Sequence, residues 1–331
     1  MPTLGVYRHL TQCSGADGTF CVLAIDHRDN LIAELQKHRT SPVAYEEVVA
    51  FKTSVARLSP CATAVLIDPD YGARALICGA IPGGVGALAP LEVTNYQPHP
   101  SQRKPDMIPD WSVTKLKRAG FTGAKLLLYY HPDADDAEEK TNLLDRVVAE
   151  CDREQVPLFL EPITYSPDPS RELDNGQRRE AVIAAARHFS RRGVAVMKME
   201  FPIDVKADPD ERVWTAALAE LNHACATPWA LLSAGVSYDV FVRQAQLACE
   251  AGASGVIAGR AVWADAVRLS GRDRDQFIET EGKRRLDQLR EICRTLATPW
   301  TRKAPVPELP QRWYAEAAGP EPSNASTLRA F

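Results

Sequence analysis

Residues 124–163 read AKLLLYYHPDADDAEEKTNLLDRVVAECDREQVPLFLEPI, and this stretch contains one complete strand–helix–strand unit. Two short leucine-rich runs, at 124–130 and 157–163, lie on either side of an amphipathic stretch at 137–154. Short apolar runs that alternate with longer amphipathic stretches are typical of βα units in a parallel sheet. The stretch therefore predicts two parallel strands joined by a helix.

The same alternation recurs along the chain. Eight apolar runs fit it, at 22–27, 63–72, 85–92, 124–130, 157–163, 194–202, 228–235 and 254–261. One of the intervening helices is predicted at 42–58, with Ser41 as its N-cap and Pro42 as its first residue. Eight βα units without a break in composition predict an α/β fold, a single (β/α)8 TIM barrel over residues 1–298. The turn after the first strand has no GxGxxG motif, so a dinucleotide-binding half is not expected.

The last part of the chain differs in character from the predicted barrel. Prolines at 305, 307, 310, 320 and 322 argue against a long helix there, because proline lacks the amide hydrogen that a helix interior needs. Residues 299–331 are therefore predicted to be a proline-rich C-terminal extension, extended or partly disordered.

Composition narrows the classes of partner. The chain has 39 basic and 43 acidic side chains and no long run of either sign, so neither nucleic acid nor a membrane surface is an expected partner. No stretch approaches the roughly 18 apolar residues of a membrane span, and the N-terminus has no apolar core of signal-peptide length. We expect a cytoplasmic protein that acts on a small molecule. The sequence leaves the oligomeric state open, a homo-oligomer included.

Barrel enzymes carry out their chemistry at the C-terminal ends of the strands, so polar residues at those positions are candidates for the active site. The predicted strand ends are rich in them: Asp26, His27, Arg28, Asp68, Glu92, Tyr129, Tyr130, Glu161, Lys198, Glu200, Ser233, Gly259 and Arg260.

Lys198 is the most informative of these residues because it lies inside the apolar run VAVMKMEFP. The alternation of a strand places Val196, Lys198 and Glu200 on one face. In an apolar surrounding, or beside a second cation, a lysine can present the uncharged amine that attacks a ketone. The alternative is an ion pair with a carboxylate on a neighbouring strand.

Two further residues are candidates for a role beside Lys198. Glu161 ends the fifth predicted strand and could approach Lys198 to carry protons, or could only pair with it. Lys125 shares a strand face with Leu127 and Tyr129, so it either points into the barrel as a neighbouring cation or caps the bottom of its strand.

The turns after strands seven and eight, SAGV and AGR, predict a phosphate site. Barrel enzymes commonly bind phosphate there through backbone amides and a helix N-terminus. Gly235 and Gly259 permit close approach of the backbone, Ser233 offers a hydroxyl and Arg260 offers charge-assisted hydrogen bonds. Alternatively these are ordinary turn residues, with Arg260 in a salt bridge on the rim.

Histidines do not predict a metal centre in this sequence. Of the seven, only His27 and His131 lie near predicted strand ends, whereas a catalytic metal centre needs a cluster of ligands, typically histidines on several strand ends. We expect neither a metal nor another cofactor.

Several motifs together resemble the class I, Schiff-base-forming tagatose 1,6-bisphosphate aldolases. The matching stretches are AIDHRD, AFKTSV, LIDPDYG, DWSVTKLKRAG, AKLLLYY, FLEPITY, MKMEFP, LLSAGVS and GRAVWA. The resemblance implies cleavage of the sugar bisphosphate to dihydroxyacetone phosphate and glyceraldehyde 3-phosphate, with Lys198 forming the Schiff base.

The resemblance also implies roles for the other strand-end residues. Glu161, Lys125 and Asp26 match catalytic positions of the family. Ser233, Gly235, Gly259 and Arg260 match its phosphate-binding positions. His27 and Arg28, which follow Asp26, are expected to bind substrate.

The sequence departs from the family pattern at His27, where the family usually has glutamine. The sulfofructose phosphate aldolases share the lysine motif and the SxGV and GRAVWA segments, so a 6-deoxy-6-sulfofructose 1-phosphate or another ketose phosphate is the alternative substrate. Two rivals lie outside aldol chemistry. They are a sugar-phosphate isomerase or epimerase that uses Glu161 and Glu200 without a covalent adduct, and a phosphosugar-binding regulator without catalysis.

Overall fold

A computed structural model describes residues 2–93 and 98–316. Eight parallel strands form a closed barrel in the order β1 to β8, in which β8 pairs with β1. The strands are β1 Phe20–Ala24, β2 Ala64–Leu66, β3 Gly86–Pro90, β4 Gly123–Tyr130, β5 Leu158–Thr164, β6 Val196–Met199, β7 Trp229–Leu232 and β8 Gly255–Ala258. Each overlaps one of the eight predicted runs, and only β1, β4 and β5 extend one or two residues beyond theirs, so the predicted (β/α)8 barrel is confirmed.

Helices surround the barrel and connect the strands. They are α1 Leu4–Cys13, α2 Asp29–Gln36, α3 Tyr45–Ala56, α4 Ala73–Ile77, α5 Val113–Arg118, α6 Ala137–Glu154, α7 Asn175–Phe189, α8 Glu211–Ala224, α9 Tyr238–Glu250, α10 Arg260–Trp263, α11 Gly271–Phe277, α12 Lys283–Leu296 and α13 Trp313–Glu316. None of these helices combines the length and the apolar character that a membrane crossing requires.

The start of α3 corrects one detail of the prediction. Its N-cap is Ala44 rather than Ser41, and Pro42 lies outside the helix. The side chain of Gln36 accepts a hydrogen bond from the Val43 amide at 3.2 Å and donates one to the Ser41 carbonyl at 3.1 Å. These bonds hold 41–43 in a non-helical conformation, so the helix begins three residues later than predicted.

The lower half of the barrel interior is filled with apolar side chains. Phe20 and Phe159 meet edge to face with ring centroids 5.9 Å apart, and both are fully buried. Leu10 of α1 belongs to the same core, so α1 closes the N-terminal end of the barrel. Gly255 has φ 136°, and a Cβ there would lie 1.8 Å from the Phe20 carbonyl oxygen, which makes glycine necessary at the β1–β8 contact. The interior of the barrel is therefore open towards the C-terminal ends of the strands.

The segment after residue 298 is only partly as predicted. Trp300 is 2% exposed, and its indole N–H donates to Ser14 Oγ at 3.0 Å. The Lys303 ammonium donates to the carbonyls of Asn222 and Cys225 at 3.0 and 2.8 Å. An extended conformation from residue 299 onward is therefore wrong for 299–304, because a buried aromatic ring and these hydrogen bonds fix them to the barrel. The rest of the predicted extension stays a prediction, and residues 317–331 lie outside the described part of the chain.

Candidate active site

A cavity of about 420 Å³ opens among the C-terminal ends of the strands. Its walls combine ionisable and apolar side chains and are formed by Ala24, Asp26, His27, Asn30, Lys125, Leu127, Tyr129, Glu161, Ile163, Lys198, Glu200, Leu232, Ser233, Ala234, Ile257, Gly259 and Arg260. Eight of the ten predicted site residues are in this set, and the two that are not are Gly235 and Arg28.

Lys198 points into the cavity from β6. Val196 belongs to the apolar core inside the barrel, whereas Met197 and Met199 face the surrounding helices. The alternation of β6 thus directs Lys198 inward, as the sequence predicts. Its side chain is 7% exposed, and Nζ lies 2.9 Å from Glu161 Oε2. The proximity of Glu161 and Lys198 agrees with both interpretations of the sequence, a proton carrier or a simple ion pair.

Lys125 is the second cation of the site and lies almost completely out of solvent. Its Nζ lies 2.6 Å from Glu92 Oε1, 2.9 Å from Glu161 Oε2 and 3.4 Å from Asp26 Oδ2. Burial alone would lower the pKa of Lys125, but the carboxylates, Glu161 foremost, hold it well above its usual value. Lys125 therefore stays an ammonium inside the barrel and does not cap the bottom of its strand.

The two lysines in turn keep two carboxylates ionised. Burial would raise the pKa of Asp26 and of Glu161, but the charges of Lys125 and Lys198 outweigh it and hold both pKa values below their usual range. Both groups are thus proton acceptors at neutral pH. Glu161 lies 2.9 Å from the amines of both lysines, and it can exchange protons with Lys198, whereas Lys125 keeps its proton.

His27 is an uncharged imidazole at the edge of the cavity. Burial lowers its pKa to about 3, and the nearby Asp26 carboxylate only partly opposes this effect. Its ring meets the Trp263 ring edge to face with centroids 5.1 Å apart. Nδ1 is buried without a hydrogen-bond partner among the described residues. The imidazole is therefore held by packing rather than by a hydrogen bond to Nδ1.

The turns after β7 and β8 lie side by side, as the predicted phosphate site requires. The Gly259 amide lies 3.4 Å from Ser233 Oγ. Ala234 and Gly235 both have left-handed backbones, with φ 46° and 78°. A Cβ on Gly235 would come within 2.9 Å of the Arg260 guanidinium carbon, so Arg260 lies directly over this glycine.

Arg260 is exposed at the cavity wall and forms no ion pair or hydrogen bond within 2–93 and 98–316. The alternative of a rim salt bridge is therefore wrong for the described part of the chain. A hydroxyl, a backbone amide and an unpaired guanidinium converge on one point, and together they can bind a phosphate group.

Arg28, unlike Gly235 of the phosphate corner, is a predicted site residue that lies away from the cavity. It is 5% exposed, and its guanidinium donates to the Glu92 carbonyl at 2.6 Å while lying 3.6 Å from Asp70 Oδ2. The chain enters α2 at Asp29, which turns Arg28 towards the end of β3. Its predicted role in substrate binding therefore finds no support in its position.

Sequence reasoning gave no role to Glu92 and considered Glu200 only for an isomerase. Glu92 follows β3, and its carboxylate holds Lys125 and accepts the Leu127 amide at 3.1 Å. Glu200 lines the cavity and binds Arg178 of α7. Alternation along β6 was the signal for Glu200, since it shares a face with Lys198. Nothing in the sequence indicated that Arg178 reaches across to the same site.

No group of three or more His, Cys, Asp and Glu side chains in the described ranges has a geometry suited to a metal ion. Independence from metals and other cofactors stays a prediction, because only an assay of the reaction can test it.

Known aldolases are similar to this chain in sequence. Residues 20–265 match the model of the DeoC/LacD family aldolases. The tagatose 1,6-diphosphate aldolase of Staphylococcus aureus is 34% identical over 322 residues, covering 89% of this chain and 97% of the relative. Tagatose 1,6-diphosphate aldolase 2 of Streptococcus mutans is 31% identical over 324 residues, covering 91% and 98%.

Solved structures show a similar fold. An archaeal fructose 1,6-bisphosphate aldolase superposes with a TM-score of 0.59 at 16% identity, covering 87% of this chain and 99% of the other. The fructose-bisphosphate aldolase of Slackia heliotrinireducens gives 0.61 at 14% identity, covering 87% and 90%. At these identities the similarity concerns the barrel alone.

Proposed function

Because this chain belongs to the DeoC/LacD family of aldolases, we propose that it cleaves D-tagatose 1,6-bisphosphate to dihydroxyacetone phosphate and glyceraldehyde 3-phosphate through a Schiff base on Lys198. The observation that carries the proposal is the position of Lys198, whose amine lies 2.9 Å from the ionised carboxylate of Glu161 in a cavity that also contains an anion-binding corner. The chain is an aldolase by family; the sugar and the roles of the residues are our proposal.

The 1-phosphate of the ketose binds between the turns after β7 and β8. The Ser233 hydroxyl, the Gly259 amide and the Arg260 guanidinium supply hydrogen bonds, while Gly235 lets Arg260 lie flat against the turn. This position anchors the end of the substrate next to C2. The ketone carbon then lies in the part of the cavity that Lys198 also faces.

Imine formation needs an amine without its proton and a route for water to leave. Glu161 accepts the proton of Lys198, and the amine then attacks C2 to give a carbinolamine. Glu161 returns the proton to the departing hydroxyl, which leaves as water, and an iminium forms. Lys125 keeps Glu161 ionised between these steps.

Carbon–carbon cleavage uses the iminium as an electron sink. Glu161 takes the proton of the C4 hydroxyl, directly or through water. The C3–C4 bond breaks, its electron pair moves to the imine nitrogen, and C4 leaves as the aldehyde carbon of glyceraldehyde 3-phosphate. Asp26 and His27 contact the substrate hydroxyls, so they discriminate among epimers.

The residue at position 27 favours a second candidate substrate of the same chemistry. His27 replaces the glutamine usual in tagatose bisphosphate aldolases, and it lies against Gly259 of the phosphate corner. A neutral imidazole has one donor and one acceptor in a rigid ring, whereas a flexible amide offers more of both. The alternative is therefore a 6-deoxy-6-sulfofructose 1-phosphate or another ketose phosphate.

The test is a coupled assay for triose phosphate with a chelator present. The full chain is offered the 1,6-bisphosphates of tagatose, fructose, sorbose and psicose, and 6-deoxy-6-sulfofructose 1-phosphate, with the variant His27→Gln in parallel. The proposal expects the highest kcat/KM with tagatose 1,6-bisphosphate. Preference for the sulfosugar selects the alternative, and cleavage that stops when the metal is chelated would contradict Schiff-base chemistry.

A further inference from the structure

Cleavage leaves a carbon that must receive a proton. Once the aldehyde has left, the three-carbon fragment remains on Lys198 as an enamine, and the former C3 must be protonated before hydrolysis can release dihydroxyacetone phosphate. The donor must face the cavity and must hold a proton near neutral pH. This requirement rests on the proposed Schiff-base function and concerns a later step of it.

Most ionisable groups of the cavity wall are poor donors. Asp26 is held ionised by the lysines. Glu161 takes the C4 hydroxyl proton during cleavage but loses it to solvent again, because the Lys125 charge beside it keeps its pKa low. Lys125 keeps its proton too tightly, because three carboxylates surround it. His27 is an uncharged imidazole, whose remaining N–H is a very weak acid.

Glu200 differs from the other carboxyl groups of the wall. It is 5% exposed, lies two residues after Lys198 on the same face, and lines the cavity. Within 2–93 and 98–316 its ion-pair partner is Arg178, and no lysine ammonium there contacts it. Burial raises the pKa of Glu200, as does the negative charge of Glu161, and the opposing effects of Arg178 and Thr164 do not cancel this rise.

The hydrogen bonds of Glu200 leave one position for a proton. Oε2 accepts two bonds, from the Thr164 amide at 2.7 Å and the Thr164 hydroxyl at 2.9 Å, so both of its lone pairs are used. Oε1 accepts one bond, from Arg178 Nη2 at 3.0 Å. The second lone pair of Oε1 is the remaining site, and the bonds from Thr164 and Arg178 fix the plane of the carboxyl group around it.

From this geometry we propose that Glu200 is a catalytic acid that delivers a proton to C3 of the enamine held on Lys198. The O–H bond of the Glu200 carboxyl group breaks and a C3–H bond forms with the electron pair of the enamine double bond. The nitrogen becomes an iminium again and Glu200 becomes a carboxylate. Water then hydrolyses the iminium, and Glu200 regains its proton from solvent.

Arg178 and Thr164 are positioning residues in this scheme. Arg178 reaches Glu200 from α7 and also donates to the Phe201 carbonyl at 3.3 Å, so it is fixed on two sides. Its positive charge favours the carboxylate, which makes protonated Glu200 a stronger acid than burial alone would. Glu161 on β5 and Lys198 on β6 are the other charged groups of the neighbouring wall, while Asp26, His27, Lys125, Tyr129 and Arg260 occupy the rest of it.

The test separates enamine protonation from imine formation. Wild type and Glu200→Gln are incubated with dihydroxyacetone phosphate, and two quantities are measured: the mass of the adduct trapped by borohydride, and the exchange of solvent deuterium into the C3 methylene by NMR. Glu200→Gln should form the adduct to within about twofold and lose exchange by about 100-fold or more, the usual contribution of a general acid. Glu180→Gln, which removes the same charge from an exposed position on α7, should change neither quantity.

A pH profile gives a second, independent test. Exchange begins with removal of a C3 proton from the iminium, the reverse of the delivery step, so it requires the Glu200 carboxylate, persists above the pKa of that group and falls below it. Removing the Arg178 charge in Arg178→Gln raises this pKa, so the pH at which exchange falls should move upward. A limb that stays in place or moves downward would overturn the proposal.

The outcomes distinguish this proposal from the proposed function. Exchange at the wild-type rate in Glu200→Gln overturns the role of Glu200 but leaves the Schiff-base function standing. If Tyr129→Phe also loses exchange in that case, the phenol of Tyr129 is the proton donor instead. Loss of the borohydride adduct in Glu200→Gln would assign the residue to imine formation instead. Absence of the adduct in wild type overturns the Schiff-base function together with this step.

Discussion

Removing the Lys125 charge should destabilise the protein strongly and in a pH-dependent way. Lys125 Nζ lies 2.6, 2.9 and 3.4 Å from three carboxylates, and all four side chains are at most 10% exposed. At an effective dielectric constant of about 20, each pair is worth roughly 5 to 6 kcal/mol before the cost of removing the charges from water. That cost offsets most of the attraction, and breaking a buried pair by deleting one partner leaves a net loss of about 3 to 5 kcal/mol. We expect Lys125→Met to lower the free energy of unfolding by this amount at pH 7 to 8.

The pH dependence follows from the pKa directions. In wild type the folded-state pKa values of Asp26 and Glu161 lie below their unfolded values, so their stabilising contribution is present above the unfolded pKa and is lost as pH falls. In Lys125→Met burial raises the pKa values of these carboxyls, so the variant loses stability as pH rises through them. The difference between the two proteins should therefore be largest at pH 7 to 8 and shrink towards pH 5.

Urea unfolding of wild type and Lys125→Met at pH 5, 6, 7 and 8 measures this difference. Lys125→Met/Glu92→Gln should recover roughly 1 to 3 kcal/mol at pH 8, because one of the uncompensated carboxylates is then neutral. A loss below about 1 kcal/mol, or one of equal size at every pH, would refute the electrostatic account of this cluster.

Three further predictions concern the rest of the structure. Burial lowers the pKa of His27 to about 3. His27→Gln should therefore change the preference among epimeric ketoses but leave the pH profile of kcat/KM unchanged between pH 5 and 9. A fall in kcat/KM at acid pH that wild type shows and the variant lacks would contradict this. Gly235 has φ 78° and lies under Arg260. Gly235→Ala should therefore raise KM for the phosphorylated ketose by about tenfold or more while kcat is retained. An unchanged KM in steady-state kinetics would argue against a phosphate site at this turn. Trp300 is 2% exposed in the turn at 300–302. Trp300→Ala should therefore lower the free energy of unfolding, measured in urea, by about 3 to 5 kcal/mol. A change below about 1 kcal/mol would mean that this turn is not part of the barrel core.

The barrel and most of its site residues could be predicted because strand periodicity carries both kinds of information. Each β-strand places alternate residues on one face, so an inward lysine at 198 and an inward glutamate at 161 follow from apolar neighbours that face the helices. Closure of the barrel brings β4, β5 and β6 together in chain order, and this order places Lys125, Glu161 and Lys198 in contact.

What could not be predicted depends on side-chain contacts for which the sequence carries no local signal. Arg28 follows the first strand like Asp26 and His27, but its direction is decided by the Glu92 carbonyl, 64 residues away. The start of α3 is decided by the Gln36 side chain, which binds 41–43, together with Glu47, whose carboxylate accepts the Ala44 amide. The bond between Arg178 and Glu200 joins α7 to the end of β6, and neither residue carries a local signal of its partner. Such contacts require the three-dimensional structure.

The central claim is that Lys198 forms a covalent imine with the substrate. It is tested most directly by the mass of the protein after incubation with dihydroxyacetone phosphate and borohydride, with a chelator present, for wild type and Lys198→Met. We predict one adduct in wild type and none in the variant, and because a modified lysine resists trypsin, the adduct should appear on an uncut peptide spanning 193–206. A folded wild-type protein without an adduct, or an adduct that persists in Lys198→Met, would contradict the claim.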